Sequence, residues 1–479
     1  MDSRNWIGGE WYIPKGSAAP ISNPSNIKEY VGIIHFSEAV DVRQASVAAQ
    51  SALPNWSSLT YPKRAEYLSL AADALLSQLD ELATLASKEV GKPINEMRGE
   101  IRRGIDILRY YAAEGMRTTG SVIPSTQASV LQYTSRVPLG IVGIITPWNF
   151  PVAIPIWKMA PALLCGNTII WKPSELSSLT ATRLAEIFSE AKLPLGVLNL
   201  VVGEGKTVGQ ALLDEAPLDG VSFTGSAATG RHVAISCAKR NIKYQTEMGG
   251  KNAAVVLNDA DLSNTIPAII GGAFRFAGQK CTATSRVIVH RDMYEQLLLG
   301  LASSVSKLVV GPAQNASSYL GPVVSAAQKN KVNTFVEHAH RQATIVQEGK
   351  ITVDPESGHY VAPIVVSDVD VNDKLVQDEI FGPVISLLPA DSFDEAVDLC
   401  NKTVYGLSAS IFTNDLNKAL KFMNQAKAGM VRVNLETSGV EYQSPFGGMK
   451  SSSSHSREQG TAALDFYSQI KTCAMFYGL

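Results

Sequence analysis

Apolar residues recur along the chain in two rhythms. Between residues 61 and 90, Leu68, Leu75, Leu76, Leu79, Leu82 and Leu85 fall at helical spacing, and Gly91-Lys-Pro93 ends the pattern with a C-cap glycine and a breaker. One long amphipathic helix is predicted there. From residue 141 the rhythm becomes short β-branched runs: Ile141-Val-Gly-Ile-Ile145, Thr168-Ile-Ile-Trp171, Leu198-Asn-Leu-Val-Val202, Asp219-Gly-Val-Ser-Phe223 and 242–246, with helical segments between. Continuous apolar strands alternating with helices predict a parallel sheet covered on both faces, the doubly wound arrangement, ending near Glu247. A second set follows at Ala253-Ala-Val-Val-Leu257, Arg286-Val-Ile-Val289, Val384-Ile-Ser-Leu-Leu388, Ser408-Ala-Ser-Ile-Phe412 and Met430-Val-Arg-Val433. The fold class is α/β with two such units. Two further segments, 129–137 and 469–477, alternate like exposed strands. They predict a protruding ribbon, satisfied by pairing with another subunit or by folding back internally.

At 479 residues the chain exceeds the roughly 250–300 at which single cores stop growing, so two or three domains are expected. Lys plus Arg total 42 against 44 Asp plus Glu, a net charge of -2. That balance leaves no basic field for nucleic acid or an anionic membrane. The five cysteines lack CxxC spacing and read as reduced cytoplasmic thiols, and no stretch is apolar enough for a membrane span. His338 and His340 point apart on a helix, so no metal is expected there.

The chemistry concentrates in a few runs. Cys281 follows Phe276-Ala-Gly-Gln-Lys, whose small residues leave room for a substrate to reach the sulfur, although a free Cys taken alone is more often a buried hydrophobe. Glu247 opens Glu-Met-Gly-Gly-Lys and is a candidate base. Thr224-Gly225-Ser226 turns a strand into a helix, where free N-H groups suit a phosphate, although such capped turns are also common as structure. Lys172-Pro-Ser174-Glu175 sits at a neighbouring strand's carboxyl end and suits ribose hydroxyls. Asn149 in Thr146-Pro147-Trp148-Asn-Phe150 can donate to an oxygen that becomes negative during reaction. Glu379-Ile-Phe381-Gly-Pro and Pro445-Phe446-Gly-Gly add a carboxylate, aromatics and tight turns.

Together and in this order, these motifs resemble the aldehyde dehydrogenase superfamily across essentially the whole chain. The resemblance implies a Rossmann-type cofactor domain at 1–118 and 140–250, an α/β catalytic domain at 251–450, and β oligomerisation segments at 119–139 and 451–479. It implies an NAD(P)-dependent oxidation of an aldehyde to a carboxylate. Cys281 would form a thiohemiacetal and then a thioester, Asn149 would hold the oxyanion, and Glu247 would activate the hydrolytic water, with Lys172 also in the catalytic set. Thr146, Pro147, Trp148, Lys172, Ser174, Glu175, Phe223, Thr224, Gly225, Ser226, Gly249, Glu379 and Phe381 would hold the dinucleotide. Glu175 favours NAD by repelling a 2′-phosphate, while Lys172 leaves NADP possible. A homodimer or homotetramer is implied.

The substrate end is less uniform. The walls would be Phe150, Ala153, Ile154, Trp157, Thr282, Val440 and Phe446. Arg275 matches an arginine that succinate-semialdehyde dehydrogenases use for the distal carboxylate, the alternative being a surface salt bridge. Their second arginine is here Trp157, so that clamp is incomplete. The tail around His455 and Glu458 resembles that of dehydrogenases acting on 2-oxoglutarate semialdehyde, a resemblance that does not by itself fix the substrate. The expected substrate is a carboxylated semialdehyde such as 2-oxoglutarate semialdehyde. The alternatives are succinate semialdehyde, a broad range of aliphatic or aromatic aldehydes, and a non-catalytic relative.

Overall fold

The computed structural model describes residues 1–479 apart from 118, 455 and 479. Among the described residues, two seven-stranded sheets carry the fold. The first runs Lys243–Glu247, Gly220–Thr224, Ile141–Ile145, Thr168–Lys172, Leu198–Leu200, Asn5–Ile7, Glu10–Tyr12. Its first five strands are parallel, and the N-terminal hairpin closes one edge antiparallel. The second runs Thr344–Glu348, Ile364–Ser367, Val384–Ala390, Thr284–His290, Asn252–Val256, Ser408–Phe412, Met430–Val433, parallel except for the first pair. Ile144, Ile169, Val221, Val255, Ile288 and Ile385 are fully buried, as runs covered on both faces require.

The chain passes from one sheet to the other through 248–251, directly after Glu247. The carboxyl ends of the first sheet therefore face the start of the second. The loops after Ile145, Lys172, Thr224 and Glu247 gather at that junction, the place where open parallel sheets bind ligands.

The long helix expected over residues 61–90 is two helices, Tyr61–Ser77 and Leu79–Val90, broken at Gln78. Gln78 leaves the helical region (φ -115°, ψ 15°) and its N-H returns to the Leu75 and Leu76 carbonyls. Leu68, Leu75, Leu79 and Leu82 are buried on both sides of the break, which is why their spacing hides it, whereas Leu76 is exposed. Gly91 ends the second helix in the left-handed region at φ 74°.

The ribbon forms as an internal pair. Val130–Pro138 runs antiparallel to Ser468–Phe476 from Ser468↔Pro138 to Phe476↔Val130, with Val122–Ile123 on its other side. Val122, Ile470, Met475 and Phe476 stand exposed on it. No helix among the described residues is long and apolar enough to cross a membrane.

Candidate active site

Cys281 opens on a cavity of about 190 Å³ between the two sheets, shared with Asn149, Ile154, Met248, Gly249, Glu379 and Phe381. The nucleophile loop is unusually bent. Phe276, Ala277 and Gly278 all have positive φ (53°, 51° and 70°), strain that non-glycine residues hold only when surrounding contacts fix them. Those contacts are present. Glu96 accepts from the Phe276 N-H at 2.8 Å and pairs with Lys280 at 2.9 Å, while Asn252 donates to the carbonyls of Cys281 and Ala283. A side chain at Gly278 would meet the Gly382 carbonyl. Burial, then Glu379 and Glu247, push the Cys281 thiol up to about 12. At rest it is a protonated thiol near neutral pH.

Asn149 is buried and its Nδ2 donates to the Gln279 carbonyl at 3.0 Å, tying it to the nucleophile loop. Beneath it, Lys92 Nζ donates to the Asn149 carbonyl at 2.6 Å and to Glu100 at 2.5 Å. The other Glu100 oxygen accepts from the N-H groups of Val152 and Ala153 at 2.9 and 3.0 Å. The helix Ile94–Glu114 thus braces both loops, Glu96 holding the one with Cys281 and Glu100 the one with Asn149. The sequence pattern predicts Gly91-Lys-Pro93 only as a helix stop. Lys92 beside Glu96 and Glu100, one turn apart, was the available signal.

Glu247 ends the strand Lys243–Glu247 and is buried, but it does not line the cavity with Cys281. One oxygen accepts from Ser453 Oγ at 2.5 Å; the other has no partner among the described residues. Burial, reinforced by Glu458, holds the Glu247 carboxyl well above the usual carboxylate range. Behind it Glu458 is buried and receives Lys158, Ser222 and, at 2.7 Å, the Trp157 indole N-H. The sequence singles out neither Ser453 nor Lys158, and names Glu458 only as part of the C-terminal tail without a role. His455 lies outside the described residues.

A second cavity of about 270 Å³ continues from the first, both touching Pro147, Trp148, Thr224, Gly225 and Ser226. Thr146, Lys172, Ser174, Glu175 and Phe223 line it. Lys172 Nζ lies 3.4 Å from Glu175, and both line this cleft; Lys172 is not among the residues that line the cavity with Cys281. Ser226 caps the helix Ala227–Lys239, accepting from Thr229 N-H, and leaves the first N-H groups facing the cleft. A Cβ at Gly249 would displace the Glu379 carboxylate, which rests where it would be; Gly250 N-H donates to that carboxylate at 3.2 Å. Trp148, which lines both cavities, stands edge-on to Phe276 and Phe381, centroids 6.1 and 5.6 Å away. A helix N-terminus, a cation-carboxylate pair and two glycine-floored approaches along one groove fit an extended dinucleotide. Gln328 and Lys331 also line the catalytic cavity and were not foreseen.

The profile of the Aldehyde dehydrogenase family matches residues 11–473. The chain belongs to the aldehyde dehydrogenase family. It is 46% identical over 472 residues to the alpha-ketoglutaric semialdehyde dehydrogenase of Bacillus subtilis (98% of this chain, 97% of that one). To the alpha-ketoglutarate semialdehyde dehydrogenase of Haloferax volcanii it is 38% identical, covering 98% of each chain. The crystal structure of betaine aldehyde dehydrogenase from Staphylococcus aureus in complex with NAD+ matches with a TM-score of 0.95 at 31% identity, over 99% of this chain and 95% of that one.

On the substrate side of this aldehyde dehydrogenase, only Ile154 of the expected walls lines the catalytic cavity. Val440 and Phe446 pack with Cys281 in a small apolar cluster, and Trp157 is tilted against Phe446 at 5.4 Å. Phe150 lies under Lys92 Nζ at 3.7 Å. Thr282 is buried and its carbonyl accepts from Thr437. Arg275 does not reach the cavity. Its side chain is 47% exposed and lies 3.5 Å from Glu436, the surface-pair arrangement. His338 faces Asp373 at 2.8 Å.

Proposed function

We propose that this enzyme oxidises 2-oxoglutarate semialdehyde to its dicarboxylate with NAD, through a covalent Cys281 intermediate. The observation that carries the reading is the shared cavity: Cys281 and Asn149 open on one space that runs directly into a groove shaped for a dinucleotide. The substrate assignment draws on relatives of that name at 46% and 38% identity along nearly the whole chain.

Cys281 gives its proton to water in the cavity as its sulfur bonds to the aldehyde carbon, and the C=O π electrons move to the carbonyl oxygen, which gains the charge. Asn149 Nδ2 and the Cys281 N-H donate to that oxygen, aimed by the Lys92–Glu100 and Glu96 braces, so little reorganisation accompanies the step. A bound dinucleotide supplies the hydride acceptor. Glu379 and Phe381 hold its nicotinamide end, Gly225 and Ser226 its phosphates, and Lys172 with Glu175 the adenosine ribose. Glu175 disfavours a 2′-phosphate and so favours NAD, while Lys172 admits NADP. The thioester is then hydrolysed. Glu247 turns about its side-chain torsions from Ser453 toward the sulfur and takes a proton from the attacking water. Burial raises this carboxyl above the usual carboxylate range, which makes its ionised form a stronger base.

The exposed apolar ribbon pairs with other copies to give a homodimer or homotetramer. The five unpaired thiols suit the reducing cytoplasm. The apolar cluster of Val440 and Phe446 favours a second reading, broad use of aliphatic or aromatic aldehydes. An NADH absorbance assay over an aldehyde panel separates the two. A kcat/KM for 2-oxoglutarate semialdehyde no higher than for hexanal or benzaldehyde would refute the substrate, and turnover surviving in Cys281→Ala would refute the mechanism.

A further inference from the structure

The helix Ile94–Glu114 presents one more cation toward the active-site region, a turn beyond Glu100. Arg103 reaches into the seam between residues 439–442 and 457–460. There its Nη2 donates to the Val440 carbonyl and, at 3.2 Å, to Gln459 Oε1. Its Nε is enclosed and has no acceptor among the described residues. The same is true of Gln459 Nε2, on a residue only 1% exposed.

Gln459 is held in the left-handed region at φ 60°, an arrangement that costs about 1–3 kcal/mol and persists where surrounding contacts impose it. The preceding residue supplies those contacts: Glu458 and Phe446 exchange backbone hydrogen bonds of 2.6 and 2.7 Å. Phe446 and Val440 in turn pack with Cys281. Two N-H donors therefore lie next to residues that pack with Cys281, and among the described residues neither has an acceptor. The acids that influence Arg103 are committed elsewhere, Glu100 to Lys92, Val152 and Ala153, and Glu441 to Gln443. Buried donors without acceptors call for an outside group. A carboxylate, acceptor-only and planar, answers both an arginine edge and an amide N-H.

We propose that Arg103 and Gln459 hold the distal carboxylate of the substrate while its aldehyde end meets Cys281. The inference rests on the aldehyde dehydrogenase reading above and specifies its substrate class, a short aldehyde acid. It takes the place of Arg275, which faces Glu436 at the surface.

The experiment measures kcat/KM with NAD for 2-oxoglutarate semialdehyde and for propanal, in wild type, Arg103→Met, Arg103→Lys, Gln459→Asn and Arg275→Met. Glutarate is added as a competitor of propanal. In Arg103→Met the semialdehyde-to-propanal ratio falls roughly 10- to 100-fold, mostly through KM, the size expected for a charge-assisted hydrogen bond. Arg103→Lys restores part of the ratio. Gln459→Asn, which keeps a residue at ease with positive φ, lowers it less. Glutarate competes in wild type and much less in Arg103→Met, and Arg275→Met keeps the wild-type ratio. An Arg103→Met variant slowed equally with both aldehydes, or a selective loss in Arg275→Met, would overturn the proposal. Should Arg103→Met not fold, an unchanged ratio in Gln459→Asn does the same. A wild type that ignores the semialdehyde yet is inhibited by glutarate through Arg103 discards 2-oxoglutarate semialdehyde and keeps the anchor. Absence of glutarate competition in wild type discards the anchor alone.

Discussion

Lys92 and Glu100 are each 1% exposed and 2.5 Å apart, and removing both is expected to cost less than removing Glu100 alone. Lys92→Met leaves the Glu100 carboxylate buried with two backbone donors and no counter-charge, a loss of about 3–5 kcal/mol for breaking one side of a buried pair. Glu100→Leu leaves a buried ammonium and also strips the acceptor from Val152 and Ala153 N-H. Each orphaned donor adds about 1–3 kcal/mol, making this the worse single change. The double variant Lys92→Met/Glu100→Leu carries no buried charge, and only the orphaned N-H groups and the Asn149 carbonyl remain as costs. It is therefore expected to be more stable than Glu100→Leu alone, by on the order of 3 kcal/mol. Urea midpoints from tryptophan fluorescence provide the assay. All three variants should also lose kcat, because a displacement of Asn149 by about 1 Å costs about 100-fold. A double variant with a midpoint below that of Glu100→Leu would show additive losses and refute the paired-charge account.

Three further outcomes follow from the same geometry. With its thiol pushed up to about 12, Cys281 should react with iodoacetamide about tenfold faster per pH unit from 7 to 10 without a plateau, and Glu379→Gln, which removes a neighbouring negative charge, should speed it at every pH; a plateau near pH 8 would contradict this. Glu89 is buried under the N-H groups of Leu179 and Thr180, and burial raises its carboxyl from 4.5 to about 7. The folded state thus holds this proton more tightly than the unfolded state, so its stabilising contribution is full below pH 4.5 and is lost by pH 7, a change of about 3 kcal/mol. Relative to Glu89→Gln, wild type should lose that much stability between those pH values, and parallel stability curves would rule the linkage out. Phe476→Asp on the exposed ribbon should shift the protein to smaller species in sedimentation, and an unchanged oligomer would remove the ribbon from the interface.

The strand runs of the two mainly parallel sheets and the strand character of the ribbon were legible locally, in runs of apolar residues. That Cys281, Asn149 and Glu379 share one cavity was implied only by the order of the motifs and the family they resemble. The helix break at Gln78 was not legible, because apolar spacing continues across it and the turn is set by packing on either side. Tertiary structure alone decided which way Glu247 faces, since its partner Ser453 lies in the C-terminal segment. It alone moved Arg275 to the surface and put Arg103 against Val440 and Gln459, a contact across 337 and 356 positions of chain. Side-chain direction at a buried site follows from which distant donors and acceptors arrive there, and no local period in the sequence records that.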